Sequence, residues 1–273
     1  MPELPEVETI RRTLAPHILG QTIKKVRVVW PGAFVLPAKM TPARALRGRA
    51  VVSLNRRGKY LLLGLDDGST IVAHFRMTGS FVFYPRPRAG SKHTHVIISL
   101  TAGQLHYTDQ RKFGRLQFVP AGELAALACL NKLGPEPIAE DFDLEYFAKK
   151  LDNKKSAIKA ALLDQTIICG LGNIYADEAL FRAGILPFRP AGSLKLSELF
   201  LLYDAVRVTL REGIESGGTT FRDYKDADGH SGSFQNRLRV YGRGGLPCLN
   251  CGRALTKIKV SGRASVYCAD CQH

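Results

Sequence analysis

Leu4, Val7, Ile10, Leu14 and Ile18 recur every three or four positions and predict an amphipathic helix over residues 4–19. Pro5 marks its start, Glu6 and Glu8 suit the positive end of its dipole, and Pro16 fits only near a frayed or kinked end. Short β-rich runs follow at 23–29, 50–54, 60–65, 70–75, 80–84, 95–100, 104–108 and 115–119. Asp66-Asp67-Gly68 and Ala102-Gly103 supply hairpin turns, so this part reads as a β-sandwich or barrel. Leu133-Gly134-Pro135-Glu136-Pro137 breaks both periods and reads as a linker over 133–138. Beyond it the pattern turns helical, at 144–151, 156–165, 173–183 and 196–216. Residues 217–234, rich in Gly, Ser, Thr and Asp, read as a long mobile loop. The expectation is an α+β protein divided at 1–132, 139–233 and 234–273, with no internal repeat.

Hydrophobic content of 45% over 273 residues is enough for a sizeable core. No apolar run approaches the ~20 residues that span a bilayer, and no secretory apolar segment opens the chain, so a cytoplasmic protein is expected. The net charge of +15 points to a polyanionic partner. Its distribution sharpens this. Residues 1–130 carry 19 lysines and arginines against 7 acidic residues, residues 131–233 carry 13 against 16, and residues 234–273 carry 7 against 1. Two basic ends flanking an acidic middle favour nucleic acid, and no basic amphipathic helix supports a membrane surface.

Cys248-x2-Cys251 and Cys268-x2-Cys271, 16 residues apart, match a four-cysteine zinc site around a hairpin. Four thiolates leave no position for water, so one structural Zn2+ is expected, and its binding drives folding of a unit too small for a core of its own. Cys129 and Cys169 stand singly in apolar surroundings and read as buried thiols. Arg263 falls near the hairpin tip, where a guanidinium suits a phosphate or stands solvated. At the other end, Pro2 becomes a secondary amine once Met1 is removed, a nucleophile for a sugar C1′, with Glu3 beside it as proton donor. The alternative is a plain helix entry. Gly170-x-Gly172 superficially suggests a dinucleotide fingerprint, but Tyr175 fills the third glycine position. Asp226-Ala227-Asp228-Gly229 is a fragment of a calcium-loop pattern without the required Glu, and no metal is assigned to it.

Met1-Pro2-Glu3-Leu4-Pro5-Glu6, Arg57-Gly58-Lys59-Tyr60, His74-Phe75-Arg76-Met77, Arg111-Lys112-Phe113-Gly114, Gly134-Pro135-Glu136-Pro137, Gly170-Leu171-Gly172-Asn173 and the cysteine finger occur in one order along the chain. The set resembles the bacterial formamidopyrimidine-DNA glycosylase family. That resemblance implies an N-terminal β-sandwich, a helix–two-turn–helix module and a zinc finger, acting as a monomer on double-stranded DNA that carries oxidised purines or abasic sites. It implies excision of 8-oxoguanine and formamidopyrimidines, then β,δ-elimination at the abasic site. Pro2 is then the Schiff-base nucleophile, Glu3 the acid/base, Lys59 a proton donor in β-elimination, and Arg263 a phosphate ligand for δ-elimination. By the same resemblance Met77, Arg111 and Phe113 fill the gap left by the everted nucleotide, whereas on their residues alone Met77 and Phe113 read as ordinary core packing. The resemblance likewise implies that Asn173, His93 and Lys154 contact DNA and that the 217–234 loop covers the everted base. His93 with His95 also makes a weak metal-pair pattern, to which the DNA reading is preferred. Thr78, Gln110 and Ala264 stand where many members carry Glu, Val or Pro, and Gly. Leu4 and the Arg111/Phe113 pair argue against the sister branch acting on oxidised pyrimidines. A non-catalytic zinc-ribbon DNA binder is the alternative from another class.

Overall fold

Pro5 at the first turn starts α1 (Leu4–Ile18) in a computed structural model that describes residues 1–140 and 142–273. The Glu3 backbone N–H donates to the Glu6 carboxylate at 2.7 Å, so the helix entry is closed from within its own first turn. Pro16 is tolerated in the last turn, and the helix ends two residues later. All five residues of the apolar stripe are fully buried.

Two sheets receive that stripe. One runs β1 (Ile23–Val28), β7 (Thr94–Leu100), β8 (Gln104–Asp109), β6 (Gly79–Tyr84). The other runs β2 (Phe34–Val35), β9 (Arg115–Val119), β5 (Thr70–His74), β4 (Tyr60–Leu65), β3 (Val51–Arg57). Every pair is antiparallel except β2 on β9. Phe81, Val96 and Tyr107 from the first sheet meet Leu61, Ile71 and Leu116 from the second in one buried cluster with α1, which makes a sandwich. Two short elements lack a readable period: β2, and α2 (Pro42–Leu46), whose Thr41 hydroxyl accepts the Arg44 N–H at 3.2 Å. α3 (Ala128–Asn131) closes the segment.

The chain forms two compact units: residues Met1–Asn131 with Ser216–Ser233, and Lys132–Glu215 with Phe234–His273. The loop that the sequence pattern attached to the helices therefore makes its contacts with the first unit. Thr219 N–H donates to Glu6 at 2.7 Å, Ala227 N–H to the Thr13 hydroxyl at 3.2 Å, and Phe83 N–H to the Ala227 carbonyl at 2.9 Å. The second unit contains α4 (Leu144–Leu151), α5 (Ile158–Leu163), α6 (Asn173–Ala183), α7 (Leu196–Glu215) and a hairpin of β10 (Thr256–Val260) and β11 (Arg263–Tyr267). α4 and α6 pack on α7, and α6 also packs on β11. α5 is shorter than its apolar pattern because its flanks are used otherwise. The Ser156 carbonyl takes the Ala191 N–H at 2.9 Å, and the Gln165 side chain bonds Gly170 N–H at 2.9 Å. Among the described residues no helix is long and apolar enough to cross a membrane.

Candidate active site and nucleic-acid interface

The N-terminal residues with candidate chemistry are held by α1. Met1 is exposed, whereas Pro2 and Glu3 are buried. Lys59, 8% exposed, occupies the two-residue turn between β3 and β4, where Gly58 takes the left-handed φ of 56° that such a turn needs. A strut joins that turn to the first helix. Arg56 Nε donates to Glu8 at 3.0 Å while its Nη1 donates to the Gly58 carbonyl at 3.1 Å. Burial works against Glu8 ionising, but bonds from Arg11, Arg12 and Arg56 prevail and hold its carboxyl down at about 2. Around Lys59 the field is cationic. Burial, then the charges of Arg76 and Lys59, push the His74 imidazole down to about 3, so it stays neutral at physiological pH. Burial and neighbouring Cys129 push Tyr60 up to about 12. Cys129 is only half-buried, in contrast to the core position expected for it, while Cys169 is fully buried.

Met77 and Phe113 are 43% and 53% exposed, so neither is a core residue. Each follows a residue in the left-handed region, Arg76 at φ 52° and Lys112 at φ 57°. The Arg111 guanidinium lies 4.8 Å from the centre of the Phe113 ring, and Arg111 N–H donates to the Thr78 hydroxyl at 3.1 Å. Three exposed groups of different character, a thioether, a guanidinium and an aromatic ring, thus come from two bonded loops. His93 lies in the turn just before β7; its N–H donates to the Ser91 hydroxyl at 3.2 Å. His95, two residues on, is buried with Nε2 at 2.7 Å from the Asp109 carbonyl.

In the second unit, Asn173 is the first residue of α6, after Gly172 as N-cap, and its Nδ2 donates to the Ala264 carbonyl at 3.0 Å. That bond brings a helix N-terminus beside exposed Arg263 at the start of β11, a pairing suited to a phosphate. The same carbonyl accepts Lys159 Nζ at 2.7 Å. Lys159 is fully buried and pairs at 2.7 Å with Asp177, whose carboxylate also accepts Ser265 Oγ at 2.7 Å and Val266 N–H at 3.2 Å. Burial pushes the Asp177 carboxyl up, against the pull of Lys159 and these donors. Lys154 lies in the turn after α4, where its carbonyl accepts the Gly192 N–H at 2.9 Å.

The four finger cysteines converge. Their Sγ atoms lie within 4.8 Å of one another, with Cys248 to Cys271 at 3.9 Å and Cys251 to Cys268 at 3.4 Å. A tetrahedral ion with Zn–S bonds of about 2.3 Å needs edges of about 3.8 Å, so the cluster fits Zn2+. Asn250 N–H donates to Cys248 Sγ at 3.4 Å, as a thiolate would require. Asp226, Asp228 and His230 also lie close together, but Asp226 accepts the Asp228 and His230 N–H groups, and Asp228 bonds His17 at 2.7 Å.

Several residues that shape these sites escaped the sequence reading: Glu6 under the returning loop, the Glu8–Arg56 strut, Asp109 and the Lys159–Asp177 pair. Only Glu8 left a signal, its spacing to Arg11 and Arg12 on one helix face.

Three family models match the chain: the formamidopyrimidine-DNA glycosylase N-terminal domain over residues 1–116, the formamidopyrimidine-DNA glycosylase H2TH domain over 133–225, and the zinc finger found in FPG and IleRS over 245–273. A formamidopyrimidine-DNA glycosylase of Desulfitobacterium hafniense is 52% identical over 272 residues, covering 100% of both chains. A Lactococcus lactis FPG variant in complex with Fapy-dG containing DNA superposes with a TM-score of 0.93 at 38% identity, covering 100% of both chains. The Lactococcus lactis Fpg in complex with abasic-site DNA gives a TM-score of 0.92 at 37% identity over 99% of both.

Proposed function

From the chain's membership of the formamidopyrimidine-DNA glycosylase family we propose that it is a bifunctional base-excision-repair enzyme, removing oxidised purines from double-stranded DNA and then cleaving the abasic site. The observation that carries this is a buried Pro2-Glu3 start strutted to the turn that bears Lys59. Fapy-dG and abasic DNA in the related complexes support the substrate class.

With Met1 removed, the Pro2 amine attacks C1′ of the damaged nucleotide as the base leaves with a proton. The resulting iminium acidifies the C2′ proton. Loss of that proton expels the 3′ phosphate, and a second elimination expels the 5′ phosphate. Glu3 serves as acid/base and Lys59 as proton donor. Arg263 and the α6 N-terminus at Asn173 bind phosphate. Met77, Arg111 and Phe113 enter the gap left by the everted nucleotide, the guanidinium meeting the orphaned base. His93 and Lys154 contact the backbone, and the loop 217–234 covers the everted base. Cys248, Cys251, Cys268 and Cys271 hold one structural Zn2+, which folds the finger and takes no part in the chemistry. The enzyme works as a monomer in the cytoplasm, on the nucleoid.

Borohydride trapping tests this reading. Correctly processed protein should form a covalent adduct with an 8-oxoguanine or abasic duplex, Pro2→Gly should weaken it, and retained Met1 should abolish it. No adduct from processed protein would leave only a DNA-binding role.

A further inference from the structure

We propose that Asp109 is a positioning residue that locks the loops bearing Met77, Arg111 and Phe113 into one rigid insertion element, with the Thr78 hydroxyl as the link between them. The proposal rests on the gap-filling reading of those three residues. Asp109 ends β8 and is 1% exposed. Its Oδ1 accepts the Thr78 hydroxyl at 2.5 Å and the Arg111 N–H at 3.1 Å, and its Oδ2 accepts the Gly114 N–H at 2.7 Å. Thr78 Oγ1 in turn accepts the Arg111 N–H at 3.1 Å, which closes a triangle between the two loops. The backbone of Asp109 reaches further: its N–H donates to the His93 carbonyl at 3.0 Å, and its carbonyl lies 2.7 Å from His95 Nε2. One buried residue thus bonds into three segments, each of which carries a proposed DNA contact.

The geometry around it leaves little slack. A Cβ on Gly114 would lie 2.2 Å from the Tyr107 hydroxyl and 2.8 Å from the Phe75 carbonyl, and one on Gly79 would lie 2.5 Å from that same carbonyl. Arg76 and Lys112 hold a left-handed backbone that L-residues disfavour, each immediately before an inserting side chain. Such conformations persist where the surroundings over-determine them, and Asp109 and Thr78 supply the bonds that do so. A carboxylate suits the post because it only accepts, and three donors point at it. Asparagine would turn an N–H towards at least one of them. Prearranged in this way, the three groups enter the duplex together without first losing loop freedom.

The test uses full-length, processed, zinc-loaded protein carrying Thr78→Val, Thr78→Ser, Asp109→Asn or Met77→Ala. Two substrates are compared: an 8-oxoguanine duplex, and a single-stranded abasic oligonucleotide that has no gap to fill. Thr78→Val and Asp109→Asn should lower kcat/KM on the duplex by about ten- to a hundredfold, as misplacement by an ångström does. Scission of the single strand should stay near wild type, and Thr78→Ser should recover the duplex activity. The fluorescence rise of 2-aminopurine opposite the lesion should fall in parallel. Equal losses on both substrates, or no loss on the duplex, would overturn the proposal, and Thr78→Val decides it if Asp109→Asn does not fold. Met77→Ala separates the two layers. If it keeps full duplex activity, the gap-filling reading fails and takes the proposal with it; if it loses activity while Thr78→Val does not, only the tether fails.

Discussion

Replacing Lys159 with methionine should unfold the second unit more easily, with a signature in pH that packing loss cannot imitate. The two side chains of the Lys159–Asp177 pair are 0% and 1% exposed and meet at 2.7 Å. Methionine keeps most of the stem and removes the ammonium. The Ala264 carbonyl retains Asn173 as a donor, so the burden falls on Asp177, left with Ser265 Oγ and Val266 N–H. An uncompensated buried charge costs about 3–5 kcal/mol, and the two surviving donors place this case near 3. At roughly 2–4 °C per kcal/mol for a chain of this size, Tm should drop by about 6–12 °C. Burial already raises the Asp177 carboxyl above its ordinary value, and loss of Lys159 raises it further. A raised folded-state value favours folding when the group is protonated and costs stability as pH rises through that value. The deficit should therefore be widest near pH 7 and narrow towards pH 4. Urea unfolding followed by circular dichroism at several pH values, with zinc content verified, measures it. A deficit of constant size from pH 7 to 4, or failure of Asp177→Asn to restore stability in the Lys159→Met background, would refute the unpaired-charge argument.

The remaining predictions address the first helix, the finger and the charge. Glu8 lies at about 2 instead of 4.5, so it stabilises above the higher value and loses that contribution as pH falls towards the lower. The shift is worth about 3 kcal/mol at most, and about 1–2 after screening at the more exposed Arg11 and Arg12. Glu8→Gln should thus flatten the acid limb of stability between pH 5 and 2, and an unchanged limb would count against the strut. Chelating one Zn2+ per chain should unfold the 248–271 hairpin and impair DNA binding; undiminished affinity after verified metal loss would contradict this. DNA affinity should fall steeply with salt, by about 0.9 log units per log unit for each phosphate neutralised, and a flat response would remove the electrostatic account.

Much of the fold was legible because its periods are strong. The runs at 60–65 and 115–119 coincide with β4 and β9, and the α1 stripe is the buried stripe. β2 was not, since two residues pairing in parallel with β9 carry no alternation. The cysteine spacing announces its cluster because ligand geometry constrains sequence directly. Buried charges do not: Lys159 meets Ala264 at a separation of 105 residues, and nothing local distinguishes it from a solvated lysine. Asp109 is hidden in part for the same reason, since the Thr78 hydroxyl that bonds it comes from a loop 31 residues away. The loop read at 217–234 carries no period that would announce its bonds to α1, because they come from backbone N–H groups of Thr219 and Ala227.

That returning segment bears on how the protein is made. Glu6 leaves the ribosome 213 residues before Thr219, whose N–H it accepts. At about 5–20 residues per second, translation imposes a wait of roughly 10–40 s during which the floor beneath Glu3 lacks its closing amide. The first unit stays incomplete long after its sheets have been made, because Lys132–Glu215 of the other unit intervene before Ser216–Ser233. A fragment cut at residue 215 would keep both sheets and still lack Thr219 and Tyr224 against the first helix. The N-terminal helix of this protein is thus closed by its own late sequence, and a β-sandwich cut out at residue 131 would lack part of the unit it belongs to.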